Sequence, residues 1–344
     1  MSTHEISARG WNIVGHEHAI DILRRALAAQ QIRHAYLLVG PPRIGKTLLA
    51  RRLAQTLLCT GGPDPAVSPQ DPCNTCLACR KVLHGNHPDV HIIEKAPDKQ
   101  FILIEQIREL QNRSARRTME GRRNIFIIPD AQYMNLQAAN CLLKTLEEPE
   151  PDVVLILTVP EPGLLLPTIL SRVQMLSLQL LTATQIKQAL IEGWQVEAEH
   201  AELVSALAAG RMGWAIQAIE DDEMLDERRE HLEQLAMLPT LSRVERFDYA
   251  QKITAADRIG ELGDLLELWL LWWRDLLLAS NNCVDLIVNA DMRDLLMKQA
   301  AKLPSTVAEQ TIKNILKARE AIEQNVNPRI ALEVLMLDLP AFNV

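Results

Sequence analysis

At 344 residues, 48% of them hydrophobic and 23% charged, the chain has the composition of an ordinary globular protein with room for two or three cores, not of a disordered or fibrous one. The formal charge of -8 argues against a free-standing nucleic-acid-binding module, because phosphate contacts need a basic surface; any such contact is local or shared with partners. No apolar run reaches the roughly eighteen residues of a membrane span, and residues 1–11 lack the apolar core of a secretory signal, so a cytoplasmic protein with no membrane partner is expected.

In chain order, Ala19 to Gln30 carries apolar residues at helical spacing, and Ala35 to Val39 is a short apolar strand running into a glycine loop. A helix then returns, with Leu49, Leu53 and Leu57 on one stripe. Residues 60–72 form a proline- and glycine-rich loop, and residues 89–93 read as the next strand. Residues 125–128 are a further strand. Asn135 is placed to N-cap a helix whose apolar face is Ala139, Leu142, Leu143 and Leu146, and Pro149 ends it. The run "VVLILTV" from Val153 is a buried strand, and Pro167 opens a short helix. From about residue 181 the pattern is helical throughout. Alternating strands and helices predict an α/β domain with a parallel sheet and flanking helices over 1–180, followed by a small helical domain over 181–225 and an all-α domain over 226–344.

Three constellations carry chemistry. "GPPRIGKT", Gly40 to Thr47, has the spacing of a phosphate-binding loop. Its glycines, Gly40 and Gly45, turn backbone N–H groups inward, Lys46 meets phosphate oxygens, and Thr47 holds magnesium, so ATP with Mg2+ is the expected ligand. Such loops pair with an acid-bearing strand that organises magnesium and the attacking water. Here those places read Pro129 and Asp130, so hydrolysis is expected to be weak or absent. Cys59, Cys73, Cys76 and Cys79 have the spacing of a Zn2+ site in a reducing compartment, with His84 or His87 as substitutes for one ligand. Cys141 and Cys283 read as core residues. Five arginines between Arg113 and Arg123 read as a solvated face, and Trp269, Trp272 and Trp273 as a core or interface stripe.

Taken together, "IVGHEHAIDIL", "HAYLLVGPPRIGKT", "CNTCLAC" followed by "HPDV", "LLKTLEEPEP", "PTILSRV" and "NVNPRIALEVLMLDLP" closely resemble the bacterial DNA polymerase III clamp-loader subunits, which are AAA+ proteins. The resemblance runs from Ile13 to Pro340. It implies an AAA+ domain with a zinc module inserted at about 59–79, a helical lid over 181–225 and a C-terminal collar for oligomerisation. It also implies partners: the motor (gamma/tau) and delta subunits and, through the assembly, the sliding clamp and primed DNA. The motor subunits of this family carry an acid pair where this chain has Pro129 and Asp130, and a lid arginine where it has Gly213. Val159 or Pro160 stands where they carry threonine. These departures resemble the delta-prime branch. "SRV" matches the family's Ser-Arg-Cys motif with valine for cysteine, which makes Arg172 an arginine finger acting in trans. Two alternatives stay open on the residues: a motor in which Asp130 does the acid work, and a zinc-containing nucleic-acid-binding protein with a vestigial loop.

Overall fold

The computed structural model describes residues 10–61, 69–96, 99, 101–221, 223–255, 262–324 and 326–341. Parts of the N-terminus and of the 60–72 loop read above lie outside the described residues. The chain divides into two compact units, Met1–Gln195 with Gly210–Trp214, and Val196–Ala209 with Ala215–Val344.

The first unit opens with α1 (Glu17–Ala28), β1 (Ala35–Val39), α2 (Lys46–Leu58), α3 (Leu77–Leu83) and β2 (Val90–Ile92). It continues with α4 (Ile104–Ser114), β3 (Asn124–Ile128), α5 (Leu136–Glu147) and β4 (Val153–Val159). α6 (Pro167–Leu170), β5 (Gln174–Ser177) and α7 (Ala183–Trp194) follow. All five strands pair in parallel in the order β2-β3-β4-β1-β5.

Because successive side chains leave a strand on opposite faces, each strand feeds two layers. Tyr36, Leu38, Ile125, Ile127, Val154 and Ile156 pack with α1 and α2 on one face. Leu37, Val39, Phe126, Ile128, Leu155 and Leu157 pack with α4 and α5 on the other. This is why β1, β3 and β4 are buried at every position and, apart from Asn124 and Thr158, carry no alternation of apolar with polar residues. Asn135 caps α5 as expected, accepting from the Ala138 N–H at 2.8 Å. β5 does not stand out in the sequence, because only Leu176 of its four residues is buried.

A buried carboxylate that no motif announced ties the loop before β3 to the sheet. Asp89, 1% exposed, accepts from the backbone N–H groups of Met119 (2.6 Å), Glu120 (2.9 Å) and Gly121 (2.6 Å). Gly121 sits close in, where a Cβ would lie 2.5 Å from Leu58 Cδ2 and 3.1 Å from Asp89 Oδ2, so a side chain there would have to displace Leu58. Burial alone would raise the Asp89 carboxyl, but the three amides outweigh it and hold its pKa below the ordinary value.

The second unit contains α8 (Ala198–Leu207), most of α9 (Met212–Glu220), α10 (Glu223–Met237), α11 (Arg243–Ile253), α12 (Leu262–Ser280), α13 (Arg293–Ala300), α14 (Ser305–Glu323) and α15 (Pro328–Asp338). Its core is centred on α12, where Trp269, Trp272 and Trp273 are each at most 1% exposed, so the tryptophan stripe is core. Buried Arg246 ends α15 by donating to the carbonyls of Met336 (3.2 Å), Leu339 (2.9 Å) and Pro340 (2.9 Å). Asp275, fully buried, accepts from Val288 N (3.0 Å), Asn289 N (2.8 Å) and Asn289 Nδ2 (2.8 Å). Ile330, Val334 and Leu337 of α15 are more than half exposed. Their spacing puts them on one helix face. Cys283 is exposed beside a turn, not in the core as its sequence context suggested. Among the described residues no helix is long and apolar enough to cross a membrane.

Replacing Asp89 by Ala removes the acceptor of the three amides at 119–121, and urea unfolding at pH 7 is expected to show a loss of about 1–3 kcal/mol, with a smaller loss for Asp89→Asn. Since the folded-state pKa lies below the unfolded value of about 3.9, the wild-type advantage is complete above about pH 5 and shrinks as pH falls through the folded pKa. An advantage that does not change between pH 6 and pH 2 would contradict this.

Candidate functional site

Sheet order decides which loops share an edge. β1 lies between β4 and β5, and Val39 is level with Val159 and Ser177. In an open α/β sheet, ligands gather at the carboxyl ends of the strands near such a reversal of strand order. The loop Gly40 to Gly45 leaves β1 there and enters α2. Gly45, with φ 114°, is the N-cap of α2 in a conformation that L side chains avoid. The first N–H groups of α2 have no intrahelical partner, so they and the helix dipole favour an anion in the loop. Lys46 is buried, its Nζ donating to Gly40 O at 2.7 Å and Pro41 O at 3.0 Å. A phosphate arriving here would be met by a desolvated cation already inside the loop, with Thr47 one residue further along the helix.

Two elements outside the motif hold this loop. The His16 ring donates from Nε2 to Ile44 O at 3.0 Å. Gly213, near the start of α9, lies against Arg43, whose carbonyl oxygen would be only 2.5 Å from a Cβ at 213. Backbone of the loop therefore occupies the space that a side chain at 213 would need.

The register also places Pro129 and Asp130. Ile128 is level with Leu157 and, through it, with Leu37. Pro129 and Asp130 therefore continue to the level of Leu38 and Val39, two strands or about 10 Å across from β1. Pro129 is buried and Asp130 exposed. Asp130 adopts φ 47°, and its backbone N–H donates to the Thr158 hydroxyl at 3.0 Å while its carbonyl accepts from Tyr133 at 2.9 Å. Asp130 thus serves as a turn residue, a conformation Asp tolerates better than most. Thr158, fully buried, is a partner that sequence reasoning missed. Its one signal was being the sole polar residue within "VVLILTV".

Cys59, Cys73, Cys76 and Cys79 converge, with every sulfur within 4.8 Å of the others. Cys59 is the C-cap of α2 and Cys76 the N-cap of α3. Backbone N–H groups point at the sulfurs: Gly61 and Cys73 to Cys59 Sγ at 3.4 Å each, Cys76 to Cys73 Sγ at 3.3 Å, and Cys79 to Cys76 Sγ at 3.4 Å. Gly61 leaves room for the Cys73 sulfur, which a Cβ would approach to 2.4 Å. A hydrogen bond from Cys79 pulls Cys59 down to about 5, and the same contact pushes Cys79 up. The set fits a tetrahedral thiolate-bound ion, whose sulfurs at about 2.3 Å from the metal stand about 3.8 Å apart; Cys73 and Cys79 Sγ are at 3.9 Å. Neither His84 nor His87 joins the group, and His87 Nδ1 accepts from Asp89 N at 3.2 Å instead. Of the arginines at 113–123, Arg122 donates to Cys59 O at 3.1 Å and Arg113 pairs with Glu109 at 2.7 Å, while Arg116 and Arg117 are exposed.

Arg172 follows α6 directly. Its guanidinium donates to Thr168 O at 2.9 Å and Ser171 Oγ at 3.0 Å and pairs with Glu147 Oε1 at 2.8 Å, with about a third of the side chain exposed. These contacts keep a cation at the surface in one orientation.

Comparison with known proteins adds independent findings. The family model for the DNA polymerase III delta subunit matches residues 15–182, and that for the C-terminal part of the same subunit matches residues 222–340. DNA polymerase III subunit delta' of Bacillus subtilis is 29% identical over 321 residues, 92% of this chain and 94% of that protein. Subunit delta' of Pseudomonas aeruginosa is 42% identical over 142 residues, 41% of this chain and 42% of that protein. Subunit tau of Bacillus subtilis is 25% identical over 351 residues, 95% of this chain but 61% of that longer protein.

Gly→Ala in a helix ordinarily stabilises by up to about 1 kcal/mol. At Gly213 the new methyl meets the Arg43 carbonyl, so Gly213→Ala is expected to destabilise by about 1–3 kcal/mol in chemical unfolding. A stabilised variant would show that α9 does not rest on the loop.

Proposed function

The chain belongs to the DNA polymerase III delta-subunit family, on its delta-prime side, and from that premise we propose that it is the member of an AAA+ clamp-loader assembly that stimulates a neighbour's ATP hydrolysis with little of its own. The observation that carries this is a complete phosphate loop set beside Pro129 in place of the acid. Alongside it, Arg172 is held at the surface by Glu147. The AAA+ domain spans 1–180, the lid 181–225 and the collar 226–344. The exposed apolar face of α15 supports a role for the collar in contacting the motor (gamma/tau) and delta subunits. The sliding clamp and primed DNA are reached through the assembly, which works in the cytoplasm.

Within this reading Gly40, Gly45, Lys46 and Thr47 hold ATP with Mg2+ as a ligand of the fold. Without a carboxylate at 129, nothing organises the metal and an attacking water together, and Asp130 is committed to a turn. Arg172 acts elsewhere, entering the adjacent subunit's ATP site, where its planar guanidinium meets charge building on the transferred phosphoryl group. Its contacts to Thr168 O, Ser171 Oγ and Glu147 restrict its rotamers before the neighbour arrives, lowering the entropy lost on engagement. Cys59, Cys73, Cys76 and Cys79 would hold Zn2+, a closed structural ion that crosslinks the loop after α2 and supplies no catalysis.

The test is steady-state ATPase of the chain alone and in an assembly reconstituted with its cognate subunits. Turnover alone is expected to be negligible. In the assembly, Arg172→Ala is expected to cost about 10³-fold without dissociating the complex, and Lys46→Ala to cost little. Robust turnover by the isolated chain that Lys46→Ala abolishes would make it a motor. Elemental analysis is expected to give one Zn2+ per chain, lost in Cys73→Ser together with a lowered melting temperature; a metal-free chain of unchanged stability would refute the zinc reading.

A further inference from the structure

The cysteine cluster and the phosphate loop occupy opposite ends of one helix. α2 has thirteen residues, with Gly45 as its N-cap and Cys59 as its C-cap. At about 1.5 Å per residue the two ends are about 20 Å apart, so neither site touches the other directly. Two hydrogen-bonded paths nevertheless connect them.

The first path is α2 itself, which is polar where an apolar helix would suffice. Gln55, 1% exposed, donates from Nε2 to Cys79 O at 3.1 Å, and its own carbonyl accepts from Cys79 Sγ at 3.9 Å. Arg52 locks it from within the helix by donating to Gln55 Oε1 at 2.8 Å. The second path is the segment 10–16. Gly10 N donates to Pro72 O at 3.1 Å, Asn74 Nδ2 donates to Gly10 O at 3.0 Å, and Trp11 Nε1 donates to Gln70 O at 3.1 Å. The cysteine loop is thereby stitched to a segment whose far end, His16, holds Ile44 O in the phosphate loop at 3.0 Å. Arg24 of α1 adds an ion pair to Asp71 at 2.7 Å.

We propose that the cysteine centre and the phosphate loop are energetically coupled, with Gln55, Trp11 and His16 as positioning residues: metal at the cysteines strengthens nucleotide binding, and nucleotide slows metal loss. This rests on the reading that the cysteines hold Zn2+ and the loop binds ATP. A tetrahedral ion crosslinks residues 59 and 73–79, which fixes both the last turn of α2 and the loop on which residues 10–16 lie. Loss of the ion frees those supports, and ATP must then order the phosphate loop as well as bind to it. At equilibrium the coupling is reciprocal, so ATP raises Zn2+ affinity by the factor by which Zn2+ raises ATP affinity, and slower metal release is its kinetic expression.

The experiment follows Zn2+ release from the full chain to a chromogenic chelator with and without saturating ATP, and in parallel titrates ATP into Zn2+-loaded and Zn2+-stripped protein. ATP is expected to slow release about tenfold and stripping to weaken ATP binding by a similar factor. Gln55→Leu and Trp11→Phe keep all four cysteines and the whole phosphate loop, and both are expected to bring the two factors toward one with far-UV circular dichroism unchanged. The release measurement needs no stripped protein, so it stands even if the metal-free chain unfolds. Protein that takes up one Zn2+ and binds ATP yet releases metal at the same rate with and without nucleotide overturns the coupling alone. Protein that takes up no Zn2+ or no ATP overturns the underlying site reading and the coupling with it. Full coupling in both variants overturns the assigned route.

Discussion

The first unit depends on keeping β1 out of water on both faces and both edges. Its five residues are all buried, between α1 and α2 on one face and α4 and α5 on the other, and its backbone pairs with β4 and β5. A strand so enclosed cannot shift register, because a slip by one residue would exchange every side chain between two differently shaped layers. The loop that leaves it inherits that fixity. Lys46 is thus held ready inside the loop, and β4 brings Thr158 to the same edge without any motif linking the two.

That edge also explains why proline is tolerated at 129. The β3 ladder ends at Ile128, so the residue that follows owes no N–H to the sheet, and proline, which has none, is admissible there. The next residue, Asp130, keeps its own N–H satisfied through Thr158 Oγ1. Gly213 is constrained in the same way, since the Arg43 carbonyl lies where a side chain at 213 would begin.

The cysteine cluster extends the same economy. It is built at the end of the helix that begins at the phosphate loop, from residues that the helix itself orders: Cys59 as its cap, and Gln55 reaching across to Cys79. Arg122, from a stretch that reads as a solvated basic face, donates to Cys59 O and so belongs partly to this loop. The remaining exposed arginines there, Arg116 and Arg117, keep the character expected of surface charge.

Much was legible in the residues themselves. The phosphate loop, the four cysteines, the apolar strands and the Asn135 cap are local signals in which spacing and side-chain chemistry determine the outcome within one turn or one strand. What only the tertiary structure decided involves partners far apart in the chain. The sheet order, the enlistment of half-exposed β5, the Asp89 carboxylate under the turn at 119–121, Thr158 under Asp130, and Gly213 against Arg43 depend on which backbone groups packing brings together. Periodicity shows that a face is buried, but not against what. Cys283 marks the same limit: read as a core residue, it is exposed. The physical reason is that hydrogen-bond and steric complementarity act between surfaces, and those surfaces exist only once the layers have formed.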